Sequence, residues 1–215
     1  MILLSSARFF TTVAKPAQLP LGGLPEIAFV GRSNAGKSSC INALCNQKKL
    51  AFSSKTPGRT QALNFFGLGQ RKEEEPPQAF LVDTPGYGYA EASLDAQKQW
   101  SGLSGAYLGD RPCLRGVILV MDIRRGVTDK DRALINFCPV DMPILIAMSK
   151  ADKFSRMQQG KQVLIIKAQV AELRPSQPIT FQPFSVLSKL GFDETRKWIS
   201  ERIAPAPRTQ EVVAP

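Results

Sequence analysis

Gly31-Arg32-Ser33-Asn34-Ala35-Gly36-Lys37-Ser38 follows the apolar run Ile27-Ala28-Phe29-Val30 and precedes Ser39-Cys40-Ile41-Asn42-Ala43-Leu44. The succession reads as strand, glycine loop, helix. A loop that wraps a polyphosphate must turn backbone N–H groups inward and bring the backbone close. Glycine at both ends, Gly31 and Gly36, permits this because it has no Cβ. The first turn of the following helix offers unpaired N–H donors and the positive end of its dipole. Lys37 adds a full charge toward the β- and γ-phosphates, and Ser38 supplies a hydroxyl suited to Mg²⁺. The spacing G-x-x-x-x-G-K-S between a strand and a helix is the P-loop pattern in its confirming context. Every residue from Gly31 to Ser38 is therefore a candidate nucleotide contact.

The composition narrows the chemistry. The chain of 215 residues has no histidine, which excludes a Ser-His or Cys-His nucleophile and any imidazole base. Phosphoryl transfer, which runs on positioned charges and backbone donors, suits that limit. Four cysteines, Cys40, Cys45, Cys113 and Cys138, form no C-x-x-C pair and read as small core residues in a reducing compartment. A formal net charge of +10 fits contact with a phosphate backbone as well as simple solubility. The longest apolar runs, Gly116 to Met121 and Met142 to Met148, fall far short of the roughly 18 residues of a membrane span. A monomeric cytoplasmic protein that does not engage a membrane is expected.

One domain is expected over residues 25–203, with a basic arm over 1–24 and a disordered Pro-rich tail over 204–215. The arm holds Arg8 and Lys15 with no acid, a composition shared with organellar transit peptides. Strands are expected near Glu26–Val30, Ala62–Leu68, Ala79–Val82, Gly116–Met121, Ile144–Met148 and Ile179–Phe184. Helices are expected at Lys37–Leu44, Asp95–Leu108, Asp129–Phe137 with Thr128 as its cap, Ser155–Leu173 and Phe192–Ile203. This order predicts an α/β fold: a doubly wound, mostly parallel six-stranded sheet with helices on both faces. Ligands of such sheets lie at the carboxyl ends of the strands, where the motifs fall.

Asp83-Thr84-Pro85-Gly86-Tyr87-Gly88-Tyr89 follows the strand Ala79–Val82. Asp83 is placed to hold Mg²⁺ directly or through water, and Gly86 to bring a backbone N–H to the γ-phosphate. Loss of that phosphate would free the loop. Thr60, in the polar segment Gly58-Arg59-Thr60-Gln61-Ala62, is the candidate second hydroxyl on Mg²⁺, preferred to Thr56 because Pro57 restricts its neighbour. Ser149-Lys150-Ala151-Asp152 follows the strand Ile144–Met148. A carboxylate at Asp152 accepts from guanine N1–H and the 2-amino group, whereas adenine offers an acceptor at N1 and no 2-amino donor. Lys150 would lie along the purine face, and Phe184-Ser185-Val186 would offer a backbone N–H to the guanine oxygen.

The combination GRSNAGKSS, TPGRTQ, DTPGYGYA, the Lys-Ala-Asp-Lys run and a late Phe-Ser run resembles the EngB (YihA/YsxC-type) GTPases of the TrmE-Era-EngA-EngB group. The likeness spans about Leu19 to Ile203. It implies GTP and GDP binding, Mg²⁺ on Ser38 and Thr60, slow GTP hydrolysis, and a partner in the large ribosomal subunit or its precursor. It also implies a link to cell division and septation. Ser149 departs from the Asn usual in GTPases. Tyr87 stands where many GTPases place a water-orienting Gln, which leaves Lys37, Thr60, Gly86 and Asn34 as the catalytic candidates. Asn34 is the candidate holder of K⁺ beside the phosphates. Lys48, Lys49, Lys55 and Arg59 form a basic loop suited to RNA, and Tyr87 and Tyr89 either stack on bases or pack on a helix. An RNA-binding module with purely structural nucleotide is the alternative. A P-loop ATPase or kinase is a weaker third reading, since no acceptor pocket is evident.

Overall fold

The computed structural model describes residues 4–52, 62–70, 72, 74–87, 102–173 and 178–204. The residues divide their apolar side chains between the two faces of one sheet. In β2 (Glu26–Gly31) every residue is buried. Ile27 and Phe29 point into one apolar layer while Ala28 and Val30 point into the other. A continuous apolar run of this kind marks a central strand covered on both sides. β5 (Leu114–Asp122) and β6 (Ile144–Ser149) follow the same rule.

The sheet has seven strands, in the order β1-β3-β4-β2-β5-β6-β7, with β1 at Arg8–Val13, β3 at Leu63–Leu68, β4 at Ala79–Asp83 and β7 at Ile179–Pro183. β4, β2, β5, β6 and β7 run parallel, while β3 pairs antiparallel with β4 and β1 antiparallel with β3. The expected six strands are all present, and the seventh is a correction. β1 comes from the segment read as a basic arm. It pairs on one side only, so it needs no unbroken apolar run; five of its six residues are at least partly exposed and its register with β3 shifts between Phe9 and Thr11.

One face is covered by α1 (Lys37–Leu44) and the C-terminal helix Phe192–Ile203, whose Trp198, Ile199 and Ile203 pack beside Ile41 and Leu44. The other is covered by α2 (Leu103–Asp110), α3 (Asp129–Phe137) and α4 (Arg156–Ala171), through Tyr107, Leu108, Leu134, Ile135, Ile166 and Val170. Phe192–Ile203 is therefore α5. Thr128 and Ser155 close capping boxes at the starts of α3 and α4. The expected first turns of α2 and the tail from residue 205 lie outside the described residues. Beneath the sheet Glu26 is buried, and Arg111 at the end of α2 meets it at 2.5 Å and reaches Pro20 O at 2.8 Å. No helix among the described residues is long and apolar enough to cross a membrane.

Candidate nucleotide site

β2 delivers the glycine loop at its carboxyl end. A Cβ on Gly31 would stand 2.5 Å from Val120 O on β5, so the strand pair closes only around glycine. Gly36 sits at φ +100° and Asn34 at φ +64°, two left-handed residues that coil the loop, and Ala35 N–H donates to Arg32 O at 3.1 Å. Gly36 caps α1 without a side chain. The N–H groups of Lys37, Ser38 and Ser39 therefore open the helix with no acceptor among the described residues. This is an anion cradle built from backbone.

Asp83 ends β4 on the strand next to the loop: β4 pairs directly with β2, and Lys37 Nζ forms an ion pair with the buried Asp83 carboxylate. Burial pushes the Asp83 carboxyl above its ordinary range, with Lys37 pulling the other way. The buried Asp83 carboxylate and the half-buried Ser38 hydroxyl are hard oxygen donors, the kind a divalent cation takes. Thr84 turns inward: its hydroxyl and its N–H both donate to Phe29 O, at 2.9 and 3.1 Å, which pins the loop to β2. Pro85 is half-buried and Gly86 exposed. A Cβ on Gly86 would lie 3.0 Å from Ser33 N, so the Asp83–Tyr87 loop rests against the P-loop backbone. Ser33 N–H donates to Tyr87 O at 3.1 Å and Tyr87 N–H to Gly31 O at 3.3 Å. Tyr87 packs on α3, its hydroxyl donating to Asp131 Oδ1 at 2.5 Å.

The end expected to read the base assembles from β6 and the turn after β7. Ser149 Oγ donates to Ala35 O at 2.7 Å, so the Ser in place of Asn still ties β6 to the P-loop. Lys150, at φ +60°, carries its ammonium to Asn34 O at 3.4 Å and to Asp122 Oδ2 at 3.0 Å. Ala151 is buried and its N–H donates to Phe184 O. Ser185 Oγ donates to Asp152 Oδ1 at 2.7 Å, and this hydrogen bond lowers the Asp152 pKa by favouring the ionised form. Of the three residues expected to meet the base oxygen, Phe184 N–H bonds Met148 O and Ser185 N–H bonds Leu190 O. The Val186 N–H is left open among the described residues. Phe184 itself is core, stacked on Phe192 at 5.1 Å.

Ala62 is buried at the start of β3. Gly58, Arg59, Thr60 and Gln61, with Thr56, Lys55 and Tyr89, lie outside the described residues. Asp122 lies outside every sequence motif: it is buried at the end of β5, where Arg124 holds it at 2.9 and 2.6 Å and keeps its carboxyl well below the usual range. Its signal, an acid closing an apolar strand, is the one that identifies Asp83. Asp122, Arg32, Asn34, Tyr87, Asp131 and Lys150 line a cleft of about 280 Å³ beside the P-loop.

Residues 26–150 match the family model described as 50S ribosome-binding GTPase. The probable GTP-binding protein EngB of Bordetella pertussis is 45% identical over 210 residues, 95% of this chain and 100% of that one. The chain belongs to the EngB family of GTP-binding proteins. It is a P-loop GTPase, and the nucleotide its site takes is GTP or GDP. A crystal structure of a probable EngB superposes with a TM-score of 0.58 at 23% identity, covering 83% of this chain and 98% of that one. Aquifex aeolicus Era bound to GDP·AlF4⁻ gives 0.61 at 22% identity, over 86% of this chain; the chain spans only 58% of Era. These likenesses carry the fold, and the EngB relatives carry the activity.

Proposed function

We propose that this EngB-family GTPase is a nucleotide-controlled switch that docks on the large ribosomal subunit or its precursor during assembly, with a consequent link to cell division. The observation that carries the reading is the backbone pairing of Tyr87 with Gly31 and Ser33, which couples the loop bearing Gly86 directly to the phosphate cradle. A change at the γ-phosphate is then transmitted to whatever the Asp83–Tyr87 loop supports. The family model's description as ribosome-binding supports the choice of partner.

In the mechanism the open N–H groups of the loop and Lys37 neutralise the phosphates, and Gly86 N–H orients the terminal one. Ser38 and Asp83, with Thr60, would hold Mg²⁺, which when bound supplies charge stabilisation of the β- and γ-oxygens. Asn34 would hold K⁺ in the place of a supplied arginine; equal rates in K⁺ and Na⁺ would end that assignment. Asp152 selects guanine. Because Tyr87 stands where many GTPases place a water-orienting Gln, and its hydroxyl donates to Asp131, unaided hydrolysis is slow.

Co-sedimentation with purified ribosomal subunits under GDP, a GTP analogue and no nucleotide tests the reading. Docking on the large subunit that depends on the nucleotide supports it. Equal docking in all three states would favour an RNA-binding module whose nucleotide is structural.

A further inference from the structure

The positive charge of this chain is concentrated in the first third of its sequence. Residues 1–72 hold ten Lys and Arg against a single acid, Glu26, so they carry +9 of the net +10. Glu26 is already paired with Arg111. These residues build β1, β2, α1 and β3, and β1 is the open edge of the sheet.

The same edge exposes aromatic rings. Phe9 on β1 is 60% exposed and Phe52 is 74% exposed. The segment between α1 and Phe52 runs beside β1: Gln47 Nε2 donates to Ala7 O at 2.6 Å, and Leu50 and Ala51 enter the apolar cluster that holds Ala7 and Phe66. Phe9 meets that Phe66 edge-on at 6.4 Å, so it stands on the α1 side of the sheet with this segment. Lys48 and Lys49 are exposed within it, and neither has an ion-pair partner among the described residues. They lie beyond the far end of α1 from Lys37, a helix about 12 Å long, and so are separate from the phosphate cradle.

We propose that this edge, with Phe9 and Phe52 flanking Lys48 and Lys49, is a docking surface for a single-stranded segment of RNA. The inference rests on the ribosomal reading above and adds to it a contact independent of the nucleotide. Lysines neutralise backbone phosphates, and exposed rings stack on bases that are not already paired. A duplex hides its base faces and cannot use the phenylalanines. A second copy would set one strongly basic surface against another. The register shift between Phe9 and Thr11 interrupts the regular edge on which an added protein strand would pair.

The test is fluorescence anisotropy of the full GDP-bound chain with a labelled oligouridine of about 12 nucleotides and a duplex of equal length, across a salt series. The Phe9→Ser/Phe52→Ser variant is expected to lose at least tenfold in affinity for the single strand while its salt slope and GDP binding stay unchanged. Lys48→Gln/Lys49→Gln is expected to reduce the log–log salt slope by about 1.4, from roughly 0.7 per phosphate contact. Phe52→Ser alone, at the more exposed ring, serves if the double variant loses GDP binding. Unchanged affinity in the phenylalanine variants, or a duplex held as tightly as the single strand, overturns the proposal. Loss of self-association in sedimentation, with RNA binding intact, would assign the surface to a second copy. Nucleotide-dependent subunit docking that survives in variants with no oligouridine defect sinks this surface alone. Absence of subunit docking in the wild type, with oligouridine binding retained, sinks the ribosomal reading alone.

Discussion

Lys150 Nζ lies 3.0 Å from Asp122 Oδ2, joining the ends of adjacent strands β5 and β6, and the same ammonium reaches Asn34 O in the P-loop. A residue expected to lie along the purine is thus anchored from below by a carboxylate outside every motif. Asp122→Asn keeps the shape and removes the charge. GDP affinity is expected to fall about tenfold, the size of one charged hydrogen bond at a half-exposed ammonium. Fluorescent GDP titration checks it, and an unchanged affinity would detach Asp122 from the site.

The same carboxylate sets a pH dependence. Arg124, and after it Lys150, hold the Asp122 pKa below its unfolded value. A depressed pKa contributes stability that is fully present above the unfolded carboxylate value of about 3.9 and is lost as pH falls through the folded one. Denaturant unfolding between pH 7 and 3 should therefore show a steeper acid limb in the wild type than in Asp122→Asn. Asp83 acts with the opposite sign, since burial raises its pKa and protonation on acidification relieves that cost.

Tyr87→Phe separates packing from catalysis. The hydroxyl it removes donates to Asp131, a buried carboxylate that also accepts from Thr128 N and Oγ1 at 2.8 and 2.6 Å. A loss of about 1 kcal/mol in stability is expected, with GTP turnover within a few-fold of wild type. A hundredfold loss of turnover would make Tyr87 a catalytic group.

Arg111→Ala removes the partner of Glu26, which is only 1% exposed. Breaking a buried pair leaves an uncompensated charge, so a loss of about 3 kcal/mol is expected in urea unfolding. Guanine affinity should hold, because the pair sits at the end of the sheet away from the nucleotide.

The central parallel strands and the loops at their carboxyl ends were legible because burial on both faces forces unbroken apolar runs, and because phosphate and guanine each demand particular groups at fixed spacing. Ile27–Val30 with Gly31–Ser38 shows both constraints in one stretch. β1 was not legible. Its sequence Arg-Phe-Phe-Thr-Thr-Val answers to one neighbour, β3, and its exposed phenylalanines look like neither alternation nor core. Asp122 was passed over for a different reason: its role appears only when β5 and β6 are side by side and Lys150 bends back in a left-handed conformation.

In the proposed reading Asp152 selects the base, and Ser185 Oγ donates to its carboxylate at 2.7 Å. The most direct measurement is the affinity of the wild type and of Asp152→Asn for guanosine, adenosine and xanthosine diphosphates. The wild type should prefer the guanosine form over the adenosine form by about 10⁴ or more. The Asn variant, which can donate to the 2-oxo group of xanthine, should prefer the xanthosine form. Equal affinity of the wild type for guanosine and adenosine diphosphates, or an Asn variant that still prefers guanine, would contradict the account.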